Sequence, residues 1–409
     1  MELFIREKYL KKMRGFYHDT DIIKIITGVR RCGKSCLMQT VRGELLAEGV
    51  AEENIIFLDL DRKQYRKIKT ADQLEELIDS LSSASGDKYL FIDEVQNVKG
   101  FEEVVNAYRS EGDYSIFITG SNSYLLSGEL ATKLTGRYVE FELFPLTFDE
   151  YLEMKKFYGK EIDANLLIEL NRYLQEGGFP KAMQYDDFAD KRTYVRSVID
   201  EIFAKDIKSR LKIRNVEAFN NVKNFIINNF GATVSTRSLG AALSKNGIII
   251  KQETLVRYIE ALTESKILYR CDRFDMKSKK SLRGEKKYYL ADTSFYFAAN
   301  TDNRINYGPA LENMIYVYAR SMDYAVSVGR IGKLECDFIL RDNDLNYAYV
   351  QVAYTINDAK STEDREYAPL ESIHDNYPKY VLTTDYLLQK RNGIKHLNVL
   401  EFIKRLSRF

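Results

Sequence analysis

Cysteine is scarce and scattered. Cys32, Cys36, Cys271 and Cys336 form no CxxC pair and no cluster with the three histidines, which disfavours a structural zinc site or a disulfide framework. Five prolines and 22 glycines in 409 residues argue against long disordered or low-complexity arms. Tryptophan is absent altogether, which excludes nothing. No stretch approaches the roughly 18 consecutive apolar residues that span a bilayer. The opening Met1-Glu-Leu-Phe-Ile-Arg-Glu-Lys8 lacks the basic start and apolar core of a signal peptide. These absences point to a cytoplasmic chain in a reducing compartment, with no membrane partner. Neither sign of charge prevails, since 61 Lys and Arg face 60 Asp and Glu. Any nucleic-acid contact must therefore come from a local patch rather than a bulk field. What is present, 45% hydrophobic and 30% charged residues, is the composition of a soluble globular protein of about two to four domains.

The run Ile22–Thr27 is rich in β-branched residues and reads as a buried strand. Gly28-Val29-Arg30-Arg31-Cys32-Gly33-Lys34-Ser35 follows at once, and the residues from Cys36 onward read as a helix. That is GxxxxGK[ST] in the strand–loop–helix setting the motif needs. Glycines let successive N–H groups turn toward one anion, and the helix N-terminus adds its partial positive charge. Residues 28–36 are thus the candidate nucleotide-binding segment, with Lys34 on the β- and γ-phosphates and the Ser35 hydroxyl on Mg²⁺. At ordinary glycine usage the four fixed positions recur by chance in roughly one chain per hundred of this length; the flanking strand and helix are what give the motif its weight.

A second element supports the first. Tyr89–Glu94 is an apolar strand ending in two acids. Asp93 is placed to hold the Mg²⁺ shell and Glu94 to polarise an attacking water. The acidic pair favours an ATPase over a GTPase. Tyr114–Thr119 reads as another buried strand, after which Ser121 or Asn122 could sense the γ-phosphate. Leu125–Leu134 reads as a helix and Tyr138–Glu142 as the next strand. Arg137, just before that strand, is a candidate arginine finger reaching a neighbouring subunit, against the plainer alternative of a solvated or capping arginine.

On these residues the chain resembles the prokaryotic AAA+-type P-loop ATPases that carry a C-terminal winged-helix and restriction-endonuclease-like region. Gly28–Ser35, Phe91–Gln96, Thr119-Gly-Ser121, Leu134–Arg137 and Phe144-Pro-Leu146 carry the likeness, followed by Gly177-Gly-Phe-Pro180, Tyr289-Leu-Ala-Asp292 and the stretch from Leu311 onward. The resemblance implies an α/β core with the AAA+ strand order, ATP binding with hydrolysis, and a helical lid entered near Gly177–Pro180.

The remainder fits that plan. Phe148 to about Ile213 is helical by pattern, and its last part is rich in base: Lys191, Arg192, Arg196, Lys205, Lys208, Arg210, Lys212 and Arg214. Such a run is by default a solvated face, though it could also track a phosphate backbone. Three helical stretches (215–230, 236–243 and 252–262) and a hairpin of 266–271 with 286–290 give the winged-helix order, with 252–262 in the recognition position. Lys251, Arg257, Lys277, Lys279, Lys280 and Arg283 could contact DNA phosphates without reading sequence. In the tail Glu312 and Asp337 match two acids of a restriction-endonuclease-like site. Where that fold places an acid-x-Lys, this chain has Gln351-Val-Ala353, which argues against nuclease activity.

The expected architecture is α/β: a P-loop AAA+-type parallel-sheet core (1–147), a helical lid (148–213), a winged helix (214–290) and a nuclease-like α/β domain (291–409). The expected function is an ATP- and Mg²⁺-dependent ATPase switch, with Lys34, Glu94 and Arg137 catalytic, Ser35 and Asp93 on the metal, and Ser121 beside the nucleotide. Its expected partners are nonspecific duplex DNA, another protein or a second copy of itself. The rivals are an ATP-regulated nuclease and a non-hydrolysing ATP-dependent scaffold.

Overall fold

The computed structural model describes residues 2–82, 85–120, 134, 136–208, 211, 213, 215–245, 247–282, 285–300, 306–405 and 409. They form two compact units, residues 1–143 with 264–266, and residues 144–263 with 267–409. Apart from Leu134, the helix expected over Leu125–Leu134 lies outside the described residues, as do Ser121, Asn122, Arg210, Lys212, Arg214 and Arg283.

In the first unit a short helix, α1 (Glu7–Met13), precedes strand β1 (Ile23–Thr27) and helix α2 (Lys34–Ala47). Then come β2 (Ile55–Asp59), α3 (Ala71–Leu81), β3 (Lys88–Asp93), α4 (Phe101–Glu111), β4 (Tyr114–Thr119) and β5 (Tyr138–Glu142). The strands form one parallel sheet in the order β2-β3-β4-β1-β5. Every residue of β1 and β4 is buried, as expected for mostly apolar strands covered on both faces. On one face Ile25, Leu58, Ile92 and Ile118 pack with Leu74 and Ile78 of α3 and Val104 and Val105 of α4. On the other, Phe57, Phe91 and Phe117 stand in register, with successive ring centroids 5.7 and 4.6 Å apart. Lys24 is fully buried beside them. Its ammonium lies 4.7 Å from the centre of the Phe117 ring and donates to the Asp19 carbonyl and, at 2.9 Å, to the Ser115 hydroxyl. Burial among neutral groups pulls its pKa down to about 7, with Asp19 opposing.

The second unit opens with three helices, α5 (Phe148–Phe157), α6 (Leu166–Glu176) and α7 (Phe188–Glu201), the first held by a capping box of Thr147 and Glu150. Next are α8 (Val216–Asn228), β6 (Thr233–Val234), α9 (Thr236–Lys245), α10 (Gln252–Glu264) and β7 (Leu268–Cys271). A hairpin of β8 (Arg273–Asp275) and β9 (Lys280–Ser281) leads to β10 (Lys286–Leu290). β6, β10 and β7 form a small antiparallel sheet. The strands at 266–271 and 286–290 pair as expected, but the basic segment between them is no free tip: β8 joins a second, larger sheet.

After α11 (Ser294–Ala299) and α12 (Tyr307–Ser321) that larger sheet is completed. Its strands are β11 (Ala325–Ile331), β12 (Leu334–Arg341), β13 (Tyr347–Val352), β14 (Lys379–Thr383), β15 (Lys390–Arg391) and β16 (Ile394–Asn398). Helix α13 (Lys360–Glu371) lies between β13 and β14 in the chain, and α14 (Val399–Lys404) follows β16. The order is β15-β16-β14-β13-β12-β11-β8-β9, so each edge is a two-residue strand carrying basic side chains. Two quoted motifs meet in this unit. The Asp292 carboxylate accepts the Gly178 N–H at 2.6 Å and the Ser294 N–H at 2.9 Å. A Cβ on Gly177, whose φ is +75°, would overlap Asp292 itself. Burial raises the Asp292 carboxyl to about 6, against these donors.

Candidate nucleotide site

The loop between β1 and α2 is shaped by its glycines. A Cβ on Gly28 would overlap the Leu143 carbonyl oxygen, and Gly33, at φ +109°, is the left-handed N-cap of α2. Lys34, the first residue of α2, is 4% exposed and folds back over the loop. Its Nζ donates to the carbonyls of Gly28 at 3.0 Å and Val29 at 3.3 Å. Cys32 is wholly buried and Cys36 exposed. Burial raises the Cys32 thiol above the usual range, which makes it a packing residue rather than a reactive one.

β3 delivers Asp93 and Glu94 to the same end of the sheet. Asp93 is 2% exposed and accepts hydrogen bonds from the hydroxyls of Ser35 and Thr119. The Thr119 oxygen in turn accepts the Glu94 N–H at 3.0 Å. Asp59, ending β2, stands opposite Asp93 in register. Burial raises the Asp93 carboxyl; Ser35 and Thr119 oppose it, and Asp59 adds to the rise. Glu94 occupies a left-handed backbone position at φ +55°. Its carboxylate accepts from Gln96 and lies 3.7 Å from the Arg30 guanidinium. Burial raises its carboxyl as well, with Lys34 and Arg30 pulling the other way. A carboxylate lifted toward neutrality is a better proton acceptor at physiological pH.

Lys34, Ser35, Asp93 and Glu94 are thus brought together as their spacing implied. The donor set is the one nucleotide–Mg²⁺ chemistry uses: loop N–H groups and an ammonium for phosphates, a hydroxyl and a carboxylate for the metal. Sequence reasoning assigned no role to Thr119 or Asp59. A polar residue closing an apolar strand was the available signal for each. Arg137 is not brought to this cluster within the chain. Ile23 pairs with Tyr138, and its N–H donates to the Arg137 carbonyl at 2.9 Å. Arg137 therefore stands where β1 begins, about 13 Å along the strand from the loop that follows Thr27. Its guanidinium is exposed and donates to Asn106 on α4 at 3.2 Å.

The other basic candidates divide into spent and exposed. Lys191 pairs with Glu176 at 2.6 Å, Arg196 donates to the Ala298 carbonyl at 2.8 Å, and Arg192 donates to the Asn300 carbonyl. These contacts tie α7 to α6 and to the end of α11. Lys251, Arg257, Lys277, Lys279 and Lys280 are exposed.

The fold and site geometry define a class, the AAA P-loop nucleotide-binding domains, and the model of the AAA domain family matches residues 20–152. A second family model, a domain of unknown function (DUF8612), matches residues 167–304. The chain is 34% identical over 401 residues to an uncharacterized protein of Haemophilus influenzae, covering 97% of this chain and 98% of that one, and it belongs to the same family. An uncharacterized protein of Methanocaldococcus jannaschii is 29% identical over 371 residues, which is 87% of this chain and 81% of that protein. Among solved structures, a Walker-type ATPase of Pyrococcus abyssi shares the fold with a TM-score of 0.50 at 16% identity, covering 73% of this chain and 96% of that chain. Among the described residues no helix is long and apolar enough to cross a membrane.

Proposed function

We propose that the chain is an ATPase switch, converting ATP and water to ADP and phosphate and passing the nucleotide state to duplex DNA or a protein partner. The observation that carries this is the Asp93 environment: a buried carboxylate held by the neutral hydroxyls of Ser35 and Thr119, next to Glu94. The N–H groups of residues 28–36 and the Lys34 ammonium would hold the phosphates, with Ser121 alongside. Ser35 and Asp93 would hold Mg²⁺, which when bound supplies charge neutralisation at the phosphate oxygens. Glu94 orients the attacking water and takes its proton. The exposed position of Arg137, away from the chain's own loop, favours a role toward a second copy of the protein.

In the second unit we read residues 148–213 as a lid, 214–290 as a winged helix and 291–409 as a nuclease-like tail. Support comes from the helix–strand order of 216–290, and from a helix acid, Glu312, facing a strand acid, Asp337. Exposed Lys251, Arg257, Lys277, Lys279 and Lys280 favour contact with DNA phosphates over base reading.

The test is phosphate release over a range of protein concentrations, with and without duplex DNA, against Glu94→Gln as the blank. Release above the blank is expected, rising with protein concentration if Arg137 completes a neighbour's site. Blank-level release by a protein that binds ATP would overturn hydrolysis and leave the scaffold reading. ATP binding by Lys34→Ala as tight as wild type would overturn the site itself.

A further inference from the structure

On the reading of residues 291–409 as nuclease-like, on which this inference rests, helix α12, strands β11 to β13, helix α13 and strand β14 correspond to the helix–strand core on which metal-dependent nucleases gather two acids, a third acid and a lysine. The residues of this chain do not fit a divalent metal there. Lys287, 5% exposed on β10, extends its ammonium to Glu312 on α12 at 3.0 Å and to Glu335 on β12 at 2.8 Å, with Asp337 at 3.9 Å. Tyr289, on the same face of β10 two residues on, donates its hydroxyl to the same Glu312 oxygen at 2.5 Å. The second Glu335 oxygen takes Arg273 at 2.9 Å.

Asp337 and Gln351 are held by further contacts. Asp337 Oδ2 accepts the Val352 N–H at 2.9 Å, and Gln351 Oε1 accepts the Asp337 N–H at 3.3 Å. Gln351 turns its amide nitrogen to Glu366 at 2.8 Å, so its oxygen and nitrogen are both committed within the protein. Among the described residues no group of three or more His, Cys, Asp or Glu could hold a metal ion. Burial works against the Lys287 ammonium, but Glu312, Asp337 and Glu335 together outweigh it and raise its pKa.

We propose that Lys287 is a tethered cation standing where such a fold would hold a divalent metal, so that the tail carries neither a Mg²⁺ site nor phosphodiester-cleaving activity, and that removing the ammonium opens such a site. A monovalent ammonium on a strand cannot polarise a phosphate or deprotonate water as a divalent ion does. It places one permanent positive charge among the carboxylates, with Arg273 adding a second at Glu335. Ala353, where that fold has its lysine, is consistent with this, because the one lysine at the cluster arrives from a different strand.

The test is Mn²⁺ titration of the nucleotide-free full chain, read by electron paramagnetic resonance, with plasmid nicking as a second readout. Wild type and Asp337→Asn should bind the same number of Mn²⁺ ions. Lys287→Ala should gain one equivalent, which Lys287→Ala/Asp337→Asn lacks and Lys287→Arg does not acquire. A Mn²⁺ equivalent in wild type that Asp337→Asn removes, or nicking that Asp337→Asn abolishes, overturns the proposal. So does a folded Lys287→Ala that gains nothing. If Lys287→Ala does not fold, the wild-type and Asp337→Asn pair decides alone. Neither readout uses phosphate release, so failure of the ATPase reading leaves this result unaffected.

Discussion

Lys34 and Lys287 are both buried near carboxylates, and they treat them differently. At the end of β3, Lys34 gives its hydrogen bonds to the carbonyls of Gly28 and Val29, while Asp93 is satisfied by hydroxyls. Behind β12, Lys287 grips Glu312 and Glu335 directly. A carboxylate satisfied by neutral donors keeps its negative charge available for an incoming cation. One satisfied by a resident ammonium does not. The same residue types therefore make a ligand site in one region and a charge-balanced structural core in the other.

The comparison can be broken at either end. Lys34→Ala should weaken nucleotide binding about 10³-fold, measured by calorimetry, because it removes the one charge aimed at the phosphates. Lys287→Ala should destabilise the second unit by about 3–5 kcal/mol in urea unfolding, since it strands buried carboxylates, and Mn²⁺ should recover part of that loss. Glu94→Gln should keep nucleotide affinity and lower phosphate release about 10²-fold in single turnover.

Lys24 sharpens the contrast as a buried lysine held by neutral groups. With its pKa near 7 in the folded chain and 10.5 as the reference value, the unfolded chain binds a proton that the native one lacks between those values. Stability should then rise from pH 7 to pH 10.5 by on the order of 4 kcal/mol. Lys24→Met should flatten that rise, as read from urea midpoints at each pH. The smallest effect expected is for Thr119→Val, about tenfold in phosphate release, with recovery in Thr119→Ser. An unchanged rate in Thr119→Val would show that the hydroxyl bridge does not position Glu94.

Much of the first region was legible because its signal is local. Gly28, Gly33, Lys34 and Ser35 lie within eight consecutive residues, and Asp93 and Glu94 close a run that could only be a buried strand. Thr119 was read as a strand end because its partners, Asp93 and the Glu94 N–H, are brought to it only by parallel pairing across the sheet. Lys287 was harder still. In Lys286-Lys-Tyr-Tyr-Leu it reads as one of two basic residues beginning a hairpin strand, and nothing local marks it as inward-facing. Glu312 is 25 positions away in the chain, and the acids on β12 are farther. The engagement of Lys191, Arg192 and Arg196 was hidden for the converse reason. Charge in a helical segment reads as solvated unless the acids and carbonyls that consume it are known.

The larger sheet has a consequence at its margins. Eight strands in register offer two long rows of backbone donors and acceptors to any neighbour able to add another strand. Each margin here is only two residues long and bears lysine or arginine, Lys280 on one side and Lys390-Arg391 on the other. Short basic margins make a poor template for strand-by-strand growth. Margins of this kind disfavour the edge-to-edge addition of a second copy that leads to fibres.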